Sequence, residues 1–195
     1  VLASYRFDKY RTTEKKDKKP SLTEITFVMN KAADAKKAFA PMQKIADGVF
    51  FTRDLVTEPG NELYPDSFAK IVKKELTPLG VKVQVLGEAQ MKKLGMNSLL
   101  SVGHGSEKES KLVIMQYNGA PKSAKAADKQ PICFVGKGIT FDTGGISLKP
   151  GAGMWDMKFD MGGAGAVVGE VSGAALQAPR LALRRGCVPS LLAVL

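Results

Sequence analysis

The chain has 195 residues, 44% of them hydrophobic and 25% charged, a balance that can bury a core and excludes fibrous and wholly disordered classes. No apolar run reaches the roughly 18 residues that a membrane helix needs, and Arg6, Asp8 and Lys9 do not suit a secretory leader, so a cytoplasmic protein with no membrane partner is the expectation. The net charge of +10 raises nucleic acid as a partner, yet only Lys15, Lys16, Lys18 and Lys19 cluster, and no aromatic stripe accompanies them to stack bases, which favours a solvated basic face.

Residues 1–10 set Leu2, Tyr5, Phe7 and Tyr10 among polar neighbours without a clean period, and a charged linker follows up to Pro20. Residues 22–29 alternate and are rich in Thr, Ile, Phe and Val, which predicts a strand. Residues 32–40 are helix-prone. Pro41 interrupts the pattern, and Met42, Ile45, Val49, Phe50 and Leu55 continue it as an amphipathic stripe to Val56. Glu58, Pro59, Gly60, Asn61 and Pro65 make a loop, and Asp66 or Ser67 is expected to cap the next helix, whose buried face is Phe68, Ile71, Val72 and Leu76. Strands are predicted at 81–86 and 112–117, a short helix closed by Gly95 at 88–94, and a solvent loop at 119–130. The apolar run 131–135 reads as a strand buried on both faces. Helices alternating with strands indicate an α/β domain with a sheet covered on both sides, in which ligand sites gather at the carboxyl ends of strands. Cys133 and Cys187 are read as reduced thiols rather than as a disulfide.

The chemically dense segment begins where the apolar run stops. Residues 135–150 read Val-Gly-Lys-Gly-Ile-Thr-Phe-Asp-Thr-Gly-Gly-Ile-Ser-Leu-Lys-Pro, and Asp160 follows within 154–163. The glycines allow tight turns and close approach to a ligand. A phosphate-binding P-loop is not met, because it needs Ser or Thr directly after Gly-Lys, and here Gly138 follows Lys137. Asp142 and Asp160, with Lys137 and Lys149 nearby, match hard-metal chemistry better, since carboxylates bind Zn²⁺, Mn²⁺ or Mg²⁺ through oxygen. The plainer alternative is an aspartate capping the turn at Gly144 and Gly145, with the lysines in solvent.

The words at 136–150, Asp-Met-Gly-Gly-Ala at 160–164 and Arg-Asp-Leu-Val-Thr-Glu-Pro-Gly-Asn-Glu-Leu at 53–63 resemble the signature of the leucine aminopeptidase family, the cytosol aminopeptidases. The similarity spans roughly residues 1–169. It implies a zinc-exopeptidase-like α/β fold: a mixed sheet covered by helices on both faces, incomplete at the C-terminal end. It implies that residues 1–40 are the end of an N-terminal domain and linker, that 41–170 are the front half of a metallopeptidase catalytic domain, and that 171–195 are an atypical tail. By the same resemblance Lys137 and Asp160 ligate one metal ion, Asp142 bridges two, and Lys149 polarises the peptide carbonyl and meets the developing oxyanion. Lysine ligates only as the neutral amine, so its ordinary pKa of about 10.4 must be driven down by desolvation and an adjacent dication. The implied cofactors are two divalent metal ions, Mn²⁺ or Zn²⁺. The implied substrates are peptides with bulky apolar N-terminal residues, and the implied assembly is a homo-oligomer, a hexamer.

The family's downstream motif, Asn-Thr-Asp-Ala-Glu-Gly-Arg, supplies two further carboxylate ligands and an arginine and does not occur in these 195 residues. After Asp142 the acids are Asp156, Asp160 and Glu170 alone, and one glutamate on the helix after Asp160 cannot replace an Asp and a bridging Glu on another loop. Every lysine lies at or before Lys158, whereas the later basic residues are Arg180, Arg184 and Arg185, and Pro179, Gly186 and Pro189 break up the ending; a frameshift, fusion or truncation is the hypothesis. The expectation is therefore a weakly active or inactive chain. The alternative is a non-catalytic relative that acts in oligomer assembly or DNA binding. Met91, Met96, Met115 and Met154 are expected to fill the core. His104 is expected to be a turn residue, and Trp155, with Met154 and Met157, either lines a substrate pocket or packs under the metal loop.

Overall fold

Alanines at 32, 33, 35, 38 and 40 favour helix, and in a computed structural model of the chain one helix, α1 (Ala32–Thr57), runs through them and through Pro41. The structure describes residues 1–15, 17, 19–119, 132–176 and 188–194, the last of these as backbone alone. The break expected at Pro41 does not occur. The proline removes one amide donor, and the turns beyond it are anchored by burial of Ala46, Gly48 and Leu55.

α2 (Pro65–Leu76) follows with proline at its first position, where a missing amide costs nothing. The cap differs from the expected one. Ser67 lies inside the first turn, its Oγ accepting from the Tyr64 amide at 2.9 Å and donating to the Glu62 carbonyl at 2.7 Å. Asp66 instead pairs with Lys70 one turn on, at 2.6 Å. Phe68, Val72 and Leu76 are fully buried, as the apolar spacing requires.

β1 (Lys82–Leu86), α3 (Glu88–Lys93), α4 (Asn97–Gly103) and β2 (Lys111–Tyr117) come next. Gly95 has φ 73° and ends α3 as expected. Alternate residues of β2 enter different clusters: Val113, Met115 and Tyr117 join the main core with Phe68, while Leu112 and Ile114 pack with Leu86 and Met91.

β3 (Phe134–Gly138) begins three residues later than the apolar run suggests. Val135 is 69% exposed, so this strand is not buried on both faces; it lies at the edge of a four-stranded mixed sheet with order β1-β2-β4-β3. The 3₁₀-helix Met154–Met161 then leads into α5 (Gly162–Leu176). β4 (Val188–Val194) runs antiparallel to β2 and parallel to β3, with Lys137 opposite Ala193. It passes through Pro189, where a break was expected. Cys187, Arg180, Arg184, Arg185, Pro179 and Gly186 lie outside the described residues, as do Lys16, Lys18 and all of the expected solvent loop 119–130 after residue 119. Residues 22–29 form no strand, and Leu22, Phe27 and Val28 are exposed: alternation marks a strand only where a neighbour supplies hydrogen bonds. Among the described residues no helix is long and apolar enough to cross a membrane.

α1 and α5 cross at glycine. A Cβ on Gly48 would lie 2.5 Å from the Gly169 carbonyl oxygen, and one on Gly169 would lie 2.0 Å from Thr52 Oγ1 and 2.6 Å from the Gly48 carbonyl oxygen. Thr52 Oγ1 donates toward the Gly48 and Gly165 carbonyls, each at 3.1 Å. Gly169→Ala is expected to force the helices apart and lower stability by about 1–3 kcal/mol, the usual cost of overpacking. Urea unfolding followed by circular dichroism measures it.

Candidate metal centre

Gly136 allows β3 to press directly on the start of α5. A Cβ there would stand 2.6 Å from the Gly163 carbonyl oxygen and 2.7 Å from Ala164 Cα, so no other residue fits without moving backbone. This contact brings Lys137, the next residue, to the end of the 3₁₀-helix. Lys137 Nζ forms an ion pair with Asp160 Oδ2 and lies 3.3 Å from the Asp160 carbonyl oxygen. Asp160 Oδ2 is buried and, despite that ionic contact, takes part in no hydrogen bond of good geometry.

The loop after β3 is folded by its own backbone. The Lys149 amide donates to the Thr143 carbonyl at 2.9 Å, and the Gly144 amide donates to Asp142 Oδ1 at 2.9 Å. Gly144 has φ 91°, and a Cβ there would meet the Ser147 carbonyl oxygen at 2.4 Å, so the turn requires glycine. Lys149 Nζ reaches Asp142 Oδ2 at 3.0 Å, the Asp142 carbonyl at 3.2 Å and Met157 Sδ at 3.0 Å. Lys149 holds the Asp142 carboxyl below the usual carboxylate range, with further help from the Gly144 amide. Asp142 thus caps the turn and lies in the neighbourhood of Asp160. Lys149, Asp142, Asp160 and Lys137 thus form two neighbouring ion pairs with the carboxylates innermost.

The other candidates lie apart. His104 is exposed just after α4, on the wall of a polar pocket with Glu88, Lys92 and Asn97. Trp155 is 68% exposed and does not pack under the loop. Met91 and Met115 are fully buried, and Met96 packs on the smaller cluster. Glu170 lines an apolar groove of about 490 Å³ between α1 and α5, beside Ile45 and Val49. Met157, expected either in a substrate pocket or under the loop, meets Lys149 Nζ of that loop; Lys158 was not foreseen, because a lysine between motifs carries no spacing signal.

Residues 50–189 match the model of the cytosol aminopeptidase family, catalytic domain. The chain belongs to the cytosol aminopeptidase family. The match runs past residue 169, where the resemblance was expected to stop. Three relatives called "probable cytosol aminopeptidase" are similar to it: one from Caulobacter vibrioides, 56% identical over 170 residues (86% of this chain, 33% of the relative); one from Bradyrhizobium, 51% over 168 residues (86% and 32%); and one from Rickettsia africae, 50% over 170 residues (87% and 33%). Among solved structures the bottromycin maturation enzyme BotP in complex with Mn superposes with TM-score 0.79 at 32% identity, over 99% of this chain and 37% of that one. The chain thus spans about one third of the length of the curated relatives that it matches.

The donor set present here fits a hard divalent ion in part. Two carboxylates and one amine converge, and the buried Asp160 Oδ2 lacks the hydrogen bonds that a structural carboxylate normally has. Among the described residues no group of three or more His, Cys, Asp or Glu is placed to hold a metal, so these donors fill neither the four positions of a closed zinc site nor the six of an octahedral ion.

Glu170 offers a separate check on the groove. Burial pushes its carboxyl above the usual range, so the folded chain binds that proton more tightly than the unfolded one, and its contribution to stability falls as pH rises through the raised value. Glu170→Gln is expected to raise the melting temperature at neutral pH and to leave it unchanged well below the ordinary glutamate range; thermal melts across pH 3–8 test this.

Proposed function

We propose that this chain carries one half of a two-metal aminopeptidase centre, and that by itself it is weakly active or inactive. The observation that carries the reading is the convergence of Lys137, Asp142, Asp160 and Lys149 on one spot at the carboxyl end of β3. In this reading Lys137, as the neutral amine, and the Asp160 carboxylate hold one divalent ion, Mn²⁺ or Zn²⁺, and Asp142 is shared with a second. Bound ions of this kind supply a Lewis acid and a water of lowered pKa. Lys149 stays charged and donates to the carbonyl oxygen of the scissile peptide bond, where negative charge grows in the transition state. The Gly144 amide fixes one Asp142 oxygen, and the other, paired with Lys149 here, is the one that would face an ion.

The substrates are peptides, cleaved at the N-terminal residue, and bulky apolar residues are preferred. The relatives' designation as cytosol enzymes supports a cytoplasmic location, and a homohexamer is the assembly. Residues 1–40 belong with an N-terminal domain, residues 41–170 are the front of the catalytic domain, and 171–195 are an altered tail. The sheet is covered by helices on both faces and incomplete at its C-terminal end; the alternation of β2 between two clusters supports the covering. Weak activity follows from ligand count, because the carboxylates of the Asn-Thr-Asp-Ala-Glu-Gly-Arg motif are not among these 195 residues. A second reading, a non-catalytic relative that acts through assembly, is favoured by the exposed apolar stripe Phe39, Met42, Ile45 and Val49 on α1. DNA binding through the basic surface is its weaker form.

Metal analysis after dialysis against Mn²⁺ or Zn²⁺, with turnover of leucyl-p-nitroanilide, tests the proposal. Fewer than two ions per chain are expected, falling further in Asp142→Ala, with turnover near background. Two tightly held ions and brisk hydrolysis abolished by D142A would sink the half-site idea. No metal uptake sensitive to Asp142 would sink the metal centre itself.

A further inference from the structure

The segment 53–63 is one of the most recognisable stretches of the chain, yet none of its side chains is part of the two ion pairs. Its place in the fold supplies a reason. α1 ends at Thr57, and the last carbonyls of a helix have no partner within it. The Thr57 carbonyl accepts from Lys158 Nζ at 3.3 Å, across 101 positions of sequence; a cation there also suits the negative end of the helix dipole. Three residues further on, Gly60 lies against Phe141: a Cβ at position 60 would be 3.1 Å from both Cβ and the ring atom Cδ2 of that side chain. Phe141 immediately precedes Asp142, and Lys158 is two residues before Asp160. One turn therefore touches both carboxylate-bearing segments.

That turn is stiff. The amides of Glu62 and Leu63 both donate to the Pro59 carbonyl, at 3.0 and 2.9 Å. Ser67 Oγ holds the Glu62 carbonyl, and Leu63 is buried in the main core. From outside, Lys9 and Tyr10 grip the Glu58 carboxylate at 2.7 and 2.6 Å, and Tyr5 donates to Asp54 at 2.8 Å.

We infer that the turn Thr57–Leu63 is a spacer that sets the separation of Asp142 and Asp160, acting through Gly60 on Phe141 and through Lys158 on the 3₁₀-helix. Lys158 is a positioning residue, not a ligand. Its effect on metal rests on the reading given under Proposed function; its effect on the two segments does not. Supports of this kind, outside the ligand shell, commonly govern metal affinity by 10–100-fold.

The full 195-residue chain serves for the test, with Mn²⁺ alone as the probe and free ion counted by electron paramagnetic resonance. Lys158→Met is expected to weaken Mn²⁺ binding about tenfold or more, and Lys158→Arg, whose guanidinium can reach the same carbonyl, is expected to restore it. Gly60→Ala, which crowds Phe141, should weaken binding as K158M does. Hydrogen exchange by mass spectrometry reads the spacer without metal: peptides covering 57–63 and 154–161 should lose protection together in K158M and keep it in K158R, while α2 stays protected in both. Unchanged exchange in K158M, or equal loss in K158R, overturns the spacer. Mn²⁺ affinity lowered by Asp142→Ala but untouched by K158M overturns its role toward metal. Binding indifferent to D142A refutes the metal reading instead, and exchange alone then decides the spacer.

Discussion

Backbone against backbone at Gly136 is the contact on which the rest of the molecule turns. A strand that carries a potential ligand meets the first turn of a helix that follows another, and nothing larger than hydrogen fits between Gly136 and the Gly163–Ala164 peptide. Because the approach is made without side chains, it is rigid and short-ranged, and interiors packed to this density do not deform gradually. Lys137 and Asp160 meet because of it. The same device recurs where α1 meets α5, at Gly48 and Gly169, so the helix that begins beside the site is fixed at two points by glycine contacts.

Electrostatically the centre is a balanced set of two ion pairs. Two neighbouring carboxylates would ordinarily repel; here each is paired with a lysine of its own. Partly exposed ion pairs such as these add little to stability, so their arrangement speaks more to function than to folding. The two lysines differ in surroundings: Lys149 is tied down by two Asp142 oxygens and a thioether, whereas Lys137 is the more exposed of the two. That asymmetry suits different tasks for the two amines.

How much could be read from the residues depended on how local each feature is. The loop from Asp142 to Lys149 closes on itself through four hydrogen bonds among its own residues, so its spacing was visible without a fold. α2, β1, α3 and β2 were legible because their apolar periods match single elements packed on one core. Residues 22–29 misled because alternation reports only what a segment could pair with. α4 was missed because seven residues including two serines and a glycine show little period. Ser67 was expected as the cap and sits three positions past it, because Tyr64 and Pro65 already fix the start of the helix. Lys158 was invisible for the opposite reason: its partner, Thr57, lies a hundred residues away, and no short window contains both.

The strand order carries a consequence for how the centre comes into being. β3 reaches the remainder of the sheet only across β4, the last strand of the described chain. In a polypeptide emerging from its N-terminus, β1 and β2 can zip together early, while the slot beside β2 stays vacant until residues 188–194 arrive. The strand that carries Lys137 therefore joins the sheet by a late, long-range event, and changes within 188–194 act on its seating through the timing and completeness of that pairing.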